Sequence, residues 1–310
     1  MTKKSTYLFG IVLTIIIGAI LNWYLCCNPG IIIDDTKKIV EDKVVPPVQE
    51  AEVINPLSIK DDTGTFDYTT NDNINFDVSS NAIRTPIATT VDTGILKLTK
   101  YLSTNPNKTI DITGYYMNSE NYNGALPNLG IARATAVKNY LMEKGISSKQ
   151  INVLGSIDTE LTSKDNILLG PISFNINTKK EEDTAKADDE LKELRKKIIA
   201  DPLVLYFDTG DSNIQLTAAQ KQKVSDISTY LDKVDGAKCM VVGHTDSRGQ
   251  LAKNISLGQE RADATKAYLV RNDILESKIE AISKGPKEPI ASNKTKDGQA
   301  KNRRTVITLN

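Results

Sequence analysis

A single histidine, His244, and three cysteines limit the catalysis open to this 310-residue chain. Any Ser/His/Asp hydrolase would have to run through His244, and the common zinc frameworks need more Cys and His than the chain holds. No two carboxylates are marked by their context as an acid–base couple. The reading is therefore of a protein that is not an enzyme, with no catalytic residue, no metal site and no cofactor. His244 reads as a structural residue orienting a loop. Cys239, inside the apolar run Cys239–Val242, reads as a buried thiol. Recognition chemistry is left to Asp246 and Arg261, fifteen residues apart with Asn254 between them. Arginine grips a carboxylate bidentately, and aspartate accepts from an ammonium. Spacing alone fits two readings equally: two halves of a recognition site, or a surface ion pair worth about 0–1 kcal/mol.

These residues need a scaffold, and the sequence around them supplies one. Leu203–Phe207 reads as a strand, stopped by Asp208–Thr209–Gly210. Thr217 with Gln220 makes a capping box, and Val224, Ile227 and Leu231 follow on one helical face. Cys239–Val242 is a strand ending at Gly243, so Asp246 follows a strand end. A second helix carries Arg261 near its start, then Ala264, Ala267, Tyr268 and Val270, and Ile279–Ile282 and Thr305–Leu309 close the pattern. Strand–helix–strand–helix–strand–strand implies a small α/β sandwich with helices on one sheet face.

The pattern occurs twice. Leu129–Leu141 (LGIARATAVKNYL) and Leu257–Leu269 (LGQERADATKAYL) agree at eight of thirteen positions. Lys100–Tyr101–Leu102 matches Thr229–Tyr230–Leu231, Gly114 stands opposite Gly243, Phe76–Asp77 opposite Phe207–Asp208, and Ile83 opposite Ile214. Two tandem copies of one domain are expected, at 70–177 and 199–310. A charged connector helix should fill 178–198, with Leu191, Leu194 and Ile198 at helical spacing.

Ahead of both copies, Tyr7–Cys27 is a mostly apolar run long enough for the roughly 30 Å hydrocarbon core of a bilayer. Lys3 and Lys4 precede it and Asp34 and Asp35 follow. This orients residues 1–6 to the cytoplasm and everything after the 7–27 transmembrane helix outward. Residues 28–69 read as a linker. The expected location is a single-pass inner membrane anchor with periplasmic domains. The alternative, a lipoprotein acylated at Cys26 or Cys27, lacks a small residue just before the cysteine. Lys and Arg total 39 and Asp and Glu total 39, so bulk charge gives no reason to expect nucleic acid as a partner.

The motifs of the second copy fall in a recognisable order. Gly243–His244–Thr245–Asp246 comes first, then Asn254, Leu257–Gly258 and Arg261–Ala262. Pro289–Ile290–Ala291 and Asn293 follow, and Asn302–Arg303–Arg304 is last. Over about Leu203–Asn310 this resembles the OmpA-like peptidoglycan-binding domain shared by OmpA, Pal and MotB proteins. The resemblance implies two tandem OmpA-like βαβαββ sandwich domains after an N-terminal transmembrane helix. It also implies that peptidoglycan is the partner, held through the diaminopimelate of its stem peptide. The free end of that ligand carries an ammonium and a carboxylate on one carbon. Asp246 would accept from the first and Arg261 would grip the second, with Asn254 adding neutral hydrogen bonds and helix N-terminal amides favouring the carboxylate. Thr245, Asn302, Arg303 and Gly210 are candidates for ligand contact or loop support. Gly258 stands where the family has Ser, a residue expected to cap or pack the helix start.

In the first copy Met117 replaces the Asp246 carboxylate, while Arg133 matches Arg261. Lacking its anion partner, Arg133 would bind only half of a zwitterion, so the first copy is expected to keep the fold and lose the ligand. Spacer, dimerisation or docking of other envelope proteins would be its use. The function expected of the whole is a membrane-anchored cell-wall tether. An accessory subunit of a wall-spanning secretion or motor-type complex is the alternative. An ion-driven stator itself would need an acidic group in the membrane run, and 7–27 has none.

Overall fold

Apolar residues at helical and strand spacing build two α/β halves in the computed structural model, which describes residues 55–208 and 214–310, with backbone alone at 181–184. The N-terminus 1–6, the apolar run 7–27, linker residues 28–54 and Gly210 lie outside the described residues. Among the described residues, no helix is long and apolar enough to cross a membrane.

The first half runs β1 (Leu57–Asp61), β2 (Asp67–Thr70), β3 (Phe76–Asp77), α1 (Thr89–Thr104), β4 (Lys108–Tyr116), α2 (Leu129–Glu143), β5 (Ile151–Ile157), β6 (Ser163–Lys164), β7 (Ile167–Leu168) and β8 (Ile172–Thr178). Its main sheet has the order β2-β1-β8-β4-β5. The helix α3 (Glu181–Ala200) leads to the second half: β9 (Leu203–Tyr206), α4 (Ala218–Lys233), β10 (Cys239–His244), α5 (Leu251–Arg271), β11 (Ile279–Gly285), α6 (Lys296–Asn302) and β12 (Arg304–Leu309). Its sheet order is β11-β10-β12-β9. In each half a central strand pairs parallel with one neighbour and antiparallel with the other, β4 with β5 and β8, β10 with β11 and β12. The capping box of Thr217 and Gln220 opens α4 as its sequence requires.

One boundary and one element pattern differ from the sequence reading. The ordered first half begins well before residue 70, because Leu57 and Ile59 are buried in a strand within the segment read as linker. Their alternation with Ser58 and Lys60 is a true period of two, but five residues is too short a run to stand out. The half is also more than βαβαββ. β1 wedges between β8 and β2 and runs parallel to β8, with Ile59 opposite Phe174. Its counterpart position next to β12 is taken by β9, which runs antiparallel, with Leu205 opposite Thr305. Lys108 Nζ secures the end of β1 through Asp61 Oδ1 at 2.7 Å and Asp62 Oδ1 at 2.9 Å.

α2 is buried on two sides. Ala134, Val137 and Leu141 join the first-half core with Val91, Ile95, Leu98 and Leu102 of α1. Ala132 turns instead into the core formed with the second half, together with Ala125 and Leu126 of the preceding loop. Polar contacts follow the same seam. Lys138 Nζ meets Asp232 Oδ2 at 2.5 Å. Lys233 Nζ reaches the Ile151 carbonyl at 2.6 Å, and Asn81 Nδ2 donates to Asp273 Oδ2 at 2.7 Å. Burial draws the Lys233 ammonium down to about 8 and pushes the Asp273 carboxyl up to about 6. The connector helix α3 likewise packs Ile198, Leu191 and Leu194 on the second-half core while its other face is charged.

Glycines set how closely the long helices approach their strands. A Cβ on Gly114 would overlap the Gly130 carbonyl oxygen, and a Cβ on Gly243 would overlap that of Gly258. This corrects the reading of Gly258. It lies inside α5, where a side chain would strike the Ser283 hydroxyl and crowd the Gly243 carbonyl, and it caps no helix. Gly243→Ala should therefore push α5 off β10 and cost about 1–3 kcal/mol, measured by chemical denaturation of the full chain.

His244 ends β10 at 3% exposure, and burial, reinforced by nearby Arg304, draws its pKa down to about 4 from 6.5. The unfolded imidazole takes a proton near pH 6.5 while the folded one stays neutral until about 4. This contribution to stability is complete above 6.5 and is lost as the pH falls toward 4. The thermal midpoint should drop across that interval, and His244→Gln should flatten the drop.

Candidate ligand-binding site

The turn after β10 and the middle of α5 enclose a cavity of about 340 Å³ in the second half. That is within the usual small-ligand range of about 300–1,000 Å³. Of the sequence-predicted residues, Thr245, Asp246, Asn254 and Arg261 line it, and Asn302 does not. Arg248, Gly249, Leu257 and Arg303 complete the wall.

Asp246 is 6% exposed and its carboxylate is already engaged. Oδ1 accepts the Arg248 amide at 3.0 Å. Oδ2 accepts Arg248 Nη2 at 2.9 Å and Arg303 Nη1 at 3.2 Å. Burial by itself would raise this carboxyl, but hydrogen bonds from Arg248 and Arg303 hold it below the ordinary carboxylate range. The two anchors differ in firmness. The Arg303 side chain is 14% exposed and that of Arg248 is 55% exposed. An exposed arginine pair of this kind is worth only about 0–1 kcal/mol, so Arg248 is a displaceable cover over Asp246.

Arg261 is 1% exposed, stacked 5.4 Å from the Phe207 ring centroid, and its Nη2 donates to the Asp208 carbonyl at 3.2 Å. It sits in the interior of α5, which begins at Leu251, and not near a helix start. Helix N-terminal amides therefore do not serve the carboxylate it would hold. Its first-half counterpart does lie near a start, since α2 opens at Leu129.

The remaining candidates separate by contact. Asn254 Nδ2 donates to the Arg248 carbonyl at 2.9 Å and so shapes the turn that carries Asp246. Thr245 donates its amide to the Gly285 carbonyl at 3.0 Å. Asn302 is fully buried and braces the loop after β11. Its Oδ1 accepts the Ile290 and Ala291 amides at 2.9 and 3.1 Å, and its Nδ2 donates to the Ala291 carbonyl at 2.8 Å. Arg303 lines the cavity and ties it to β9 by donating from Nε to the Phe207 carbonyl at 3.3 Å. Arg248 escaped the sequence reading because nothing in Ser247–Arg248–Gly249 announces that its side chain folds back two residues.

Among the described residues, three guanidinium groups and one carboxylate line the cleft, a set able to meet an anionic ligand group. Among the described lining residues Asp246 is the place for a cation, reached by moving Arg248. Among the described residues, no cluster of His, Cys, Asp and Glu could hold a metal ion.

The sequence model of the OmpA family matches residues 75–167 and again 206–303. A peptidoglycan-associated lipoprotein of Buchnera aphidicola is 31% identical over 142 residues, covering 44% of this chain and 81% of that protein. Outer membrane protein A of Bordetella avium is 36% identical over 104 residues, 34% of this chain and 53% of that protein. The chain thus spans most of the first relative and about half of the second. The crystal structure of a peptidoglycan-associated lipoprotein from Burkholderia pseudomallei is 27% identical and overlaps 34% of this chain and 89% of its own, with a TM-score of 0.31. The two stretches matched by the family model make up more than half of the chain, and it belongs to the OmpA family.

Proposed function

We propose that the chain is a non-enzymatic cell-wall tether whose second half binds peptidoglycan through the zwitterionic end of a diaminopimelate stem peptide. The observation that carries this is the placement of buried Arg261 and Asp246 on one cavity of ligand size. Arg261 takes the ligand carboxylate, and Asp246 takes the ammonium once Arg248 swings out. Asn254 holds the turn that frames the cavity, and Asn302 braces the loop after β11. Relatives named as peptidoglycan-associated lipoproteins support the same partner. The apolar run 7–27 serves as the membrane anchor, with the folded halves outside the inner membrane, and the first half acts as a spacer.

Pelleting of the full chain with diaminopimelate-type sacculi tests the reading. Asp246→Ala and Arg261→Lys, which keeps the buried charge but not the fork, should each weaken binding by about 30-fold or more. Arg248→Ala should bind as well as wild type or up to about fivefold better, because it uncovers Asp246. Equal binding by wild type, Asp246→Ala and Arg261→Lys would remove the assignment.

A further inference from the structure

The two halves carry the same buried arginine, and the first half shows what such an arginine holds. Arg133 lies 5.5 Å from the Phe76 ring centroid, as Arg261 lies 5.4 Å from that of Phe207. Arg133 Nη2 donates to the Asp77 carbonyl at 3.3 Å, and Arg261 Nη2 to the Asp208 carbonyl at 3.2 Å. The ring and carbonyl contacts are common to the two seats.

The seat in the first half is occupied, which corrects the expectation that Arg133 has no anion partner. Arg133 Nη2 donates to Glu120 Oε1 at 2.6 Å and Nη1 to Oε2 at 3.0 Å. The Ser79 amide adds a bond to Oε1 at 2.7 Å and the Met117 amide one to Oε2 at 2.9 Å. Each carboxylate oxygen so receives one guanidinium N–H and one backbone N–H, and both side chains are fully buried. Such a cradle selects a planar, bidentate anion.

We propose that this arginine–phenylalanine seat is a carboxylate receptor, and that Glu120 is a built-in ligand mimic that closes it in the first half. The register that pairs Phe76–Asp77 with Phe207–Asp208 sets Ser79 against Gly210, and Gly114 against Gly243 sets Met117 against Asp246. In the second half the same ring and carbonyl hold Arg261, and its fork would meet the ligand carboxylate, an extension that rests on the proposed function. Capture of Glu120 also fixes the loop between β4 and α2. Its Ala125 and Leu126 enter the core shared with the second half, and the Ala125 amide donates to Asn272 Oδ1 at 2.7 Å. A ligand site has thus become a latch for the joint between the halves.

Acetate supplies the atoms that Glu120→Ala removes. In the full chain this variant should lose on the order of 10 °C in thermal midpoint, as expected for breaking a buried ion pair. Acetate should restore at least half of the loss where chloride at equal ionic strength does not. Any response through the second-half seat is common to all variants, so the rescue is read as the excess of Glu120→Ala over wild type and over Glu120→Ala/Arg133→Met, which should match each other. Acetate and chloride acting alike on Glu120→Ala would overturn the proposal. Should that variant fail to fold, Glu120→Gln keeps the shape and removes the charge. A midpoint below wild type supports the receptor, and one equal to wild type overturns it. Sacculus pelleting separates the two readings. Acetate rescue alongside wall binding indifferent to Arg261 would leave the seat and sink the proposed function, and the reverse pair of results would do the opposite.

Discussion

A guanidinium shut away from water must have its charge answered close by, since the uncompensated cost is several kcal/mol. Both halves are arranged around meeting that requirement. Glycine pairs let α2 and α5 lie almost on the backbones of β4 and β10, which brings each arginine beneath the turn that follows the strand. A phenylalanine ring and the next residue's carbonyl then fix the fork. What differs is the anion. One half supplies it from its own loop, and in the other the arginine lines a cavity together with Asp246.

The seam between the halves is an extension of their cores. α2 serves both, and the loop before it contributes Ala125 and Leu126 to the second half's core. The short polar contacts of Lys138, Asn81 and Lys233 lie along the same line. Two domains joined this way move as one piece more readily than two joined by a solvated linker, because separating them would expose apolar surface and strand buried charge.

The repeat was legible because helix, strand and glycine positions keep their order through two copies, and the second-half candidate residues could be named because they fall in the order and spacing of a family's motifs. Leu203–Tyr206, the capping box at Thr217 and the helix carrying Arg261 lie where periodicity and cap chemistry place them. Other features left no local trace. Glu120 reads as an ordinary loop acid, and only the fold carries it thirteen residues on to Arg133. β1 is too short to betray its period. α5 starts six residues before the segment it shares with α2, which moves Arg261 from a helix start to a helix interior. The two-sided burial of α2 was hidden because its apolar residues spread around the helix.

The way the chain enters the first half has a mechanical meaning. β1 is the first strand of the described fold and lies inside the sheet, flanked by β2 on one edge and parallel β8 on the other. Tension arriving at Leu57 along the strand would load the hydrogen bonds on both flanks sideways and together, with the Lys108 clasp on Asp61 and Asp62 at the far end. A strand on the rim would unzip one bond at a time. An interior strand resists as a block, so a pull on the chain ahead of Leu57 would be shared between both of its neighbours.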